Sequence, residues 1–295
     1  MDISKLLSKC LGAVAVSGLL GGVASAADMP LKAPPPAPVP VCNWCGFYIG
    51  GNAGYVAAQN NNFSTVSYPT SDATLGVVPG VSEGLAALST GRIPVGNASG
   101  FIGGVQAGYN WQWGQFLAGF ETDIQGLSQA GRSATVASTA VVVGTPVTSL
   151  QTGSLSTNYL GTVRGRLGFV ATPAWLVYVT GGLAYGGVSA RDTVIQTGTN
   201  GYIGAGTGSF SDTRAGWTAG VGAEWMFAPQ WSFKAEYLHY DLGSVFITSN
   251  LVGTPASTFF AGAVVQTNVS SASLRGDIGR IGVNYHFGGP ILARY

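Results

Sequence analysis

The chain has 295 residues, of which 8% are charged, 46% are hydrophobic and 46 are glycine. An ordinary soluble domain carries roughly 25% charged residues, yet beyond the first 26 positions no apolar run approaches the ~20 residues of a spanning helix. Closed β-structure is then the membrane-compatible alternative. The formal net charge of +1 lacks the basic footprint that nucleic acid requires.

The first segment reads as an address. Lys5 and Lys9 precede an apolar core over 11–24, and Ala24-Ser25-Ala26 fits the small-x-small rule, so residues 1–26 are expected to be a signal peptide cut after Ala26. Its removal takes two bases and one acid and leaves eleven of each. Residues 27–43 form a Pro-rich lead-in, expected on the periplasmic side, whose MPLKAPPPAPVP run cannot enter a sheet. Cys42 and Cys45 form C-x-x-C without the βαβ context of a redox enzyme, and the only histidines, His239 and His286, are far off in sequence. An oxidised local loop is the expectation in an exported chain.

Residues 44–287 carry eight segments of period-two alternation: 46–57, 100–113, 115–125, 159–170, 175–186, 212–227, 231–242 and 274–287. In the second, Phe101, Val105, Ala107, Tyr109, Trp111 and Trp113 share one parity, and Gln106, Gly108, Asn110 and Gln112 share the other. The connections at 114–115, 171–174 and 228–230 are tight, whereas 58–99, 126–158, 187–211 and 243–273 are long. The expected fold is all-β: an eight-stranded antiparallel transmembrane β-barrel with short periplasmic turns and long extracellular loops. Stretches such as 137–143 and 259–265 would extend the strands beyond the membrane as hairpins. Residues 288–295 form a C-terminal tail.

Trp111, Trp113, Trp175, Trp225, Trp231 and Phe287, with Trp44, lie beside tight turns or a terminus and are expected to form a periplasmic aromatic girdle at headgroup level. A thinner outer ring would use Tyr55, Phe101, Tyr159, Tyr185 and Tyr237. The opposite parity carries Glu121, Asp123, Arg164, Arg166, Arg214, Glu224, Lys234, Glu236 and Arg280, with Asp212 nearer the outer rim. Charges on a lipid face cost about 2–4 kcal/mol for Arg or Lys at the midplane, so these residues are expected inside as a lumen ion-pair network. An eight-stranded barrel is only wide enough to be filled by side chains. An ion pathway is the other reading of the same charges. A soluble barrel with its aromatics turned inward is the alternative fold, and the charges argue against it. His239 and Asp241 are the only candidate catalytic pair; no enzyme activity is expected, and no catalytic, cofactor-binding or metal residue is assigned.

The segments GFYIGGNAGY at 46–55, FIGGVQAGYNWQ at 101–112, YVTGGLAYG at 178–186, GWTAGVGAEW at 216–225, FKAEYLHYDLG at 233–243 and IGVNYHF at 281–287 resemble the porin-family, outer-membrane immunogenic proteins of alphaproteobacteria. The resemblance covers all eight strands but not the loops. The family usually has Trp-Thr-Gly-Phe-Tyr where this chain has Trp44-Cys45-Gly46-Phe47-Tyr48, so the C-x-x-C inherits no role. The terminal ILARY resembles the recognition signal for barrel insertion. What the resemblance implies is an abundant outer-membrane surface protein; members are often called porins, some are linked to haem, and no haem motif carries over to these residues. The expectation is an integral outer-membrane protein with a structural, surface-exposed envelope role. A small-solute porin, or ligand binding by the loops, is the alternative. Expected partners are outer-membrane lipid and lipopolysaccharide, the barrel-assembly machinery, and peptidoglycan or other envelope proteins; no cofactor is expected.

Overall fold

The structure is a computed structural model that describes residues 42–59, 62–96, 99–128, 132–255, 257 and 260–287. The expected signal peptide, nearly all of the expected Pro-rich lead-in and the C-terminal tail lie outside the described residues. Where eight strands are expected, eleven are found: β1 (Gly46–Gln59), β2 (Phe63–Pro69), β3 (Gly91–Ile93), β4 (Ser99–Trp113), β5 (Phe116–Ser128), β6 (Arg132–Val142), β7 (Thr145–Thr172), β8 (Trp175–Gly198), β9 (Ile203–Ala228), β10 (Trp231–Gly253) and β11 (Val264–His286). Two short helices, α1 (Asp72–Leu75) and α2 (Val81–Ser89), sit in the first long connection, which the sequence reads only as loop.

All pairings between the strands are antiparallel. One circuit runs β1-β4-β5-β7-β8-β9-β10-β11 and returns to β1 through Tyr48↔His286 to Gln59↔Arg275. Further along the long strands, β2 replaces β1 beside β11, β3 pairs β2, and β6 pairs β7. The expected hairpin around 137–143 is β6, joined to β7 through Val143 and Gly144, both at positive φ. The second expected extension is strand only from Val264 onward.

Each long strand presents two chemistries because side chains alternate across a pleat. In β4, Phe101 is 70% and Val105 62% exposed, whereas Gln106, next to Val105, is 3% exposed. The same parity holds round the circuit: Phe120, Val163, Val179, Val221, Tyr237 and Ile281 all face outward. The aromatic parity is thus the outer one, which excludes the inward-aromatic alternative. The interior is layered along the strands. At the tight-turn end lies an apolar cluster of Trp44, Leu117, Val170, Leu176 and Tyr178. A charged layer follows, then a larger apolar cluster that includes Val56, Ile102, Leu160, Leu238 and Ile278. Beyond a polar layer around Asp192 and Ser270, a last apolar cluster packs Leu85 and Leu88 of α2 on Val142, Val147 and Val194.

Candidate functional site: the charged interior layer

Strand register builds this layer. It sets Glu121 of β5 opposite Arg164 of β7, Lys234 of β10 opposite Glu224 of β9, and Glu236 of β10 opposite Arg280 of β11. Arg164 donates to Glu121 at 2.5 Å and to Asp123 at 2.9 Å. Its other Nη reaches Glu236 at 2.9 Å, joining β7 to β10, which are not neighbours. Lys234 Nζ spans the interior in the same way to Glu121, at 2.8 Å. Arg280 bridges Glu236 at 2.5 Å and Asp123 at 2.9 Å, and Arg166 bridges Glu224 at 2.6 Å and Glu121 at 3.3 Å. Every one of these side chains is 0–1% exposed. Four acids face four bases, so the layer is neutral as a whole.

Arg214 does not join. It shares the inward parity, but it lies far along β9, donates to the Ser244 carbonyl at 2.7 Å and stacks 5.2 Å from the Phe210 ring. Parity fixes which face a residue takes and says nothing of its height along the strand.

Several neutral residues that the sequence reading leaves out complete the layer. Tyr48 Oη donates to Glu121 at 2.7 Å, and Tyr178 Oη donates to Glu236 at 2.9 Å. The Arg166 guanidinium stacks on both rings, 4.0 Å from Tyr178 and 5.4 Å from Tyr48, where cation–π attraction adds to its ion pairs. Thr162 donates to Asp123, and Ser232 to Glu224. Both tyrosines lie across from a glycine in register, Tyr48 from Gly108 and Tyr178 from Gly222. A Cβ on either glycine would meet the facing tyrosine Oη at 2.4 Å. The signal was available: Tyr48 and Tyr178 sit on the opposite parity from their apolar neighbours.

The aromatic residues sit at the tight-turn end. Trp111, Trp113, Trp175, Trp225, Trp231 and Phe287 all point outward and are 43–63% exposed. Trp175 stacks on Trp225, and Tyr285 packs against both Trp231 and Phe287. Trp44 is the exception to the expected girdle. It is fully buried, edge-on to His286 at 5.6 Å, and it closes the interior beneath the charges. The Cys42–Cys45 disulfide spans it in sequence, with the Cα atoms 5.6 Å apart.

The candidate His239–Asp241 pair is not formed. His239 Nδ1 lies 2.8 Å from Asp277, which also accepts from Tyr237 Oη at 2.7 Å and from Gln59, while Asp241 accepts from the Gly243 N–H. His239, Tyr237 and Asp277 share the outward parity. Among the described residues, no group of three or more His, Cys, Asp or Glu side chains is placed to hold a metal ion.

Residues 19–287 match the family described as outer membrane protein beta-barrel domain. The 31 kDa outer-membrane immunogenic protein of Brucella melitensis biotype 1 is 34% identical over 278 residues, which covers 92% of this chain and 97% of that protein. The 22 kDa outer membrane protein of Rhizobium leguminosarum bv. viciae is 31% identical over 147 residues, 49% of this chain and 54% of that protein. Among solved structures, the outer membrane protein OprG from Pseudomonas aeruginosa aligns with a TM-score of 0.37 at 12% identity, covering 83% of this chain and 98% of that one.

Proposed function

The chain belongs to the outer membrane protein beta-barrel domain family, and from that premise we propose that it is a structural, surface-exposed component of the cell outer membrane whose lumen conducts no solute. In this reading the eight-strand circuit crosses the bilayer. The tight turns and both chain ends face the periplasm, and the long connections face outward, as in single-chain bacterial barrels. The outward tryptophans then lie at headgroup level on the inner leaflet, against lipid, with lipopolysaccharide around the outer end. Delivery by the barrel-assembly machinery, anchoring to peptidoglycan or other envelope proteins, and a role without catalysis belong to the same proposal.

One observation carries it: Arg164–Glu236 and Lys234–Glu121 tie opposite walls together within a neutral, fully buried layer. Apolar clusters lie on both sides of that layer. A conducting lumen needs a continuous wet path, and a buried charge without its partner is strongly destabilising. Refolded protein in planar bilayers is therefore expected to show no steady openings. Arg166→Ala and Glu224→Gln should each lower stability by about 3–5 kcal/mol, the range for breaking a buried pair, measured by denaturant unfolding in lipid vesicles. Steady ion-selective openings of the wild type, with little stability change in either variant, would favour the porin reading instead.

A further inference from the structure

At the far end of the long strands, away from the tight turns, lies a second site. A cavity of about 300 Å³ opens between the first long connection, the β6–β7 tip and the β8–β9 turn. Val78 and Leu85 form one wall, Val143 and Val147 another, and Tyr202 with Phe260, edge to face at 5.8 Å, a third. No charged side chain lines it. Two of its polar groups are already engaged: Tyr202 Oη donates to Gln196 at 3.1 Å, and Asn200 Oδ1 accepts from the Tyr202 N–H. The apolar cluster around α2 floors it, so it is an open-mouthed receptacle with a packed base and not the mouth of the lumen.

Two features mark the cavity as built. The first is a clasp: Asp72 accepts from the Gly80 N–H at 2.6 Å and from the Ser82 N–H and hydroxyl at 2.8 and 2.5 Å. This fixes the segment that carries Val77, Val78 and Val81. The Ser82 hydroxyl bond, then the Ser82 backbone bond, hold the Asp72 carboxyl at about 2, so the clasp is ionised throughout the neutral range. The second is Val143, a β-branched residue at φ 45° in a two-residue hairpin turn. Asn, Asp or Gly is favoured at such a position, and positive φ for a β-branched residue is a genuine outlier. The chain holds an unfavourable residue there, and that residue forms the rim of an apolar cavity. Strain of this kind clusters at ligand clamps.

We propose that this cavity binds a small, neutral, predominantly apolar molecule. Its volume is at the lower end of small-molecule sites, which are mostly apolar with few polar groups. A charged ligand would shed its hydration there without finding a partner. At interior packing density, about 0.74 of the space is filled, which suits a substituted single aromatic ring or a short branched aliphatic. That the site faces the external medium rests on the orientation proposed above; binding itself does not.

The test uses the full mature chain in lipid nanodiscs, with ¹³C-labelled valine and leucine methyls, titrated with 4-ethylphenol. Saturable shifts are expected at Val78, Val143 and Val147, while the outward-facing Val179 methyls drift linearly as the probe enters lipid. Equimolar 4-ethylbenzoate should leave the three sites unmoved. Val81→Trp, and independently Val78→Trp at a 57% exposed position, fill the mouth and should weaken binding at least tenfold. Asp72→Asn should weaken it several-fold by releasing the wall. Linear shifts everywhere, equal response to the benzoate, or saturation unchanged in both tryptophan variants would each overturn the proposal. None of these outcomes bears on conductance.

Discussion

At the scale of single residues, parity is the governing variable. Val105 and Val179 are 62% and 55% exposed on the outer face, whereas Gln106 is buried among Asn52 and Asn284. Val105→Arg and Val179→Arg should each cost about 2–4 kcal/mol of membrane stability and lower insertion yield. Gln106→Arg should be milder, because the interior offers Asp123 on the neighbouring strand. Equal membrane fractions for all three would refute the assignment of faces. Asp192 is a different case, beyond the charged layer and only 1% exposed. Burial pushes its carboxyl above the ordinary value, against bonds from Ser270 and Ser249 that pull it down. A carboxyl raised in the folded state favours folding only while protonated, so the cost appears as pH rises from the unfolded value through the folded one. Asp192→Asn should therefore raise the unfolding midpoint at pH 7, and the gain should vanish in acid below the usual carboxylate range. An unchanged difference across pH would mean that Asp192 is solvated or paired. Eight of the nine expected interior charges were readable from alternation alone. Arg214 and Trp44 were not: one needs a height along β9, and the other precedes β1, where no alternation exists to place it.

At the scale of elements, β1, β4 and β5 were legible almost end to end, whereas in β7, β8, β9, β10 and β11 the tight-turn half was legible and the far half was not. Near the tight turns, large apolar side chains oppose Gly, Gln and charged ones, so the contrast between faces is steep. Further along β7, the inward positions are Val147, Ser149, Gln151 and Leu155, while the outward ones are Thr148, Leu150 and Thr152. Both faces mix small polar and apolar residues there, and the alternation signal fades although the pairing continues to Val147↔Gly198. The helix α2 was hidden for a related reason, since its nine residues include Gly84 and two serines, all weak helix formers. The disulfide loop before β1 is readable only in part, because the spacing of Cys42 and Cys45 suggests the bond but not what it holds. Closing four residues is worth about 2 kcal/mol by the loop-entropy relation. Replacing both cysteines by serine should therefore lower the unfolding free energy by no more than about that amount. Trp44 fluorescence should redden if the loop also serves to seat the indole. An unchanged emission would show that packing against His286 suffices.

At the scale of the whole strand-built unit, closure is what makes the composition viable. Eight of the eleven strands return on themselves through the β1–β11 ladder, so that each of the eight is paired on both sides through the tight-turn half of the circuit. Sheet edges are costly in hydrocarbon because their N–H and C=O groups find no water. The protein should accordingly resist carbonate extraction and migrate faster on a gel unheated than boiled. Release into the carbonate supernatant would count decisively against the proposed spanning circuit. This level of organisation was the most legible from sequence, because three short and four long connections in alternation constrain topology more tightly than any single strand does.

The length of β7 has a consequence for what can meet this protein from outside. Its 28 residues at ~3.4 Å each, tilted by about 40°, rise about 70 Å along the barrel axis, whereas the apolar band to be crossed is about 25 Å tall. In the proposed orientation, about 45 Å of hydrogen-bonded sheet stands beyond the apolar band, so the β6–β7 tip at Val143–Gly144 is held at a fixed distance by a stiff mast. A macromolecule approaching from outside would then meet a rigid, preformed surface held clear of the lipid, in place of a floppy loop lying on it.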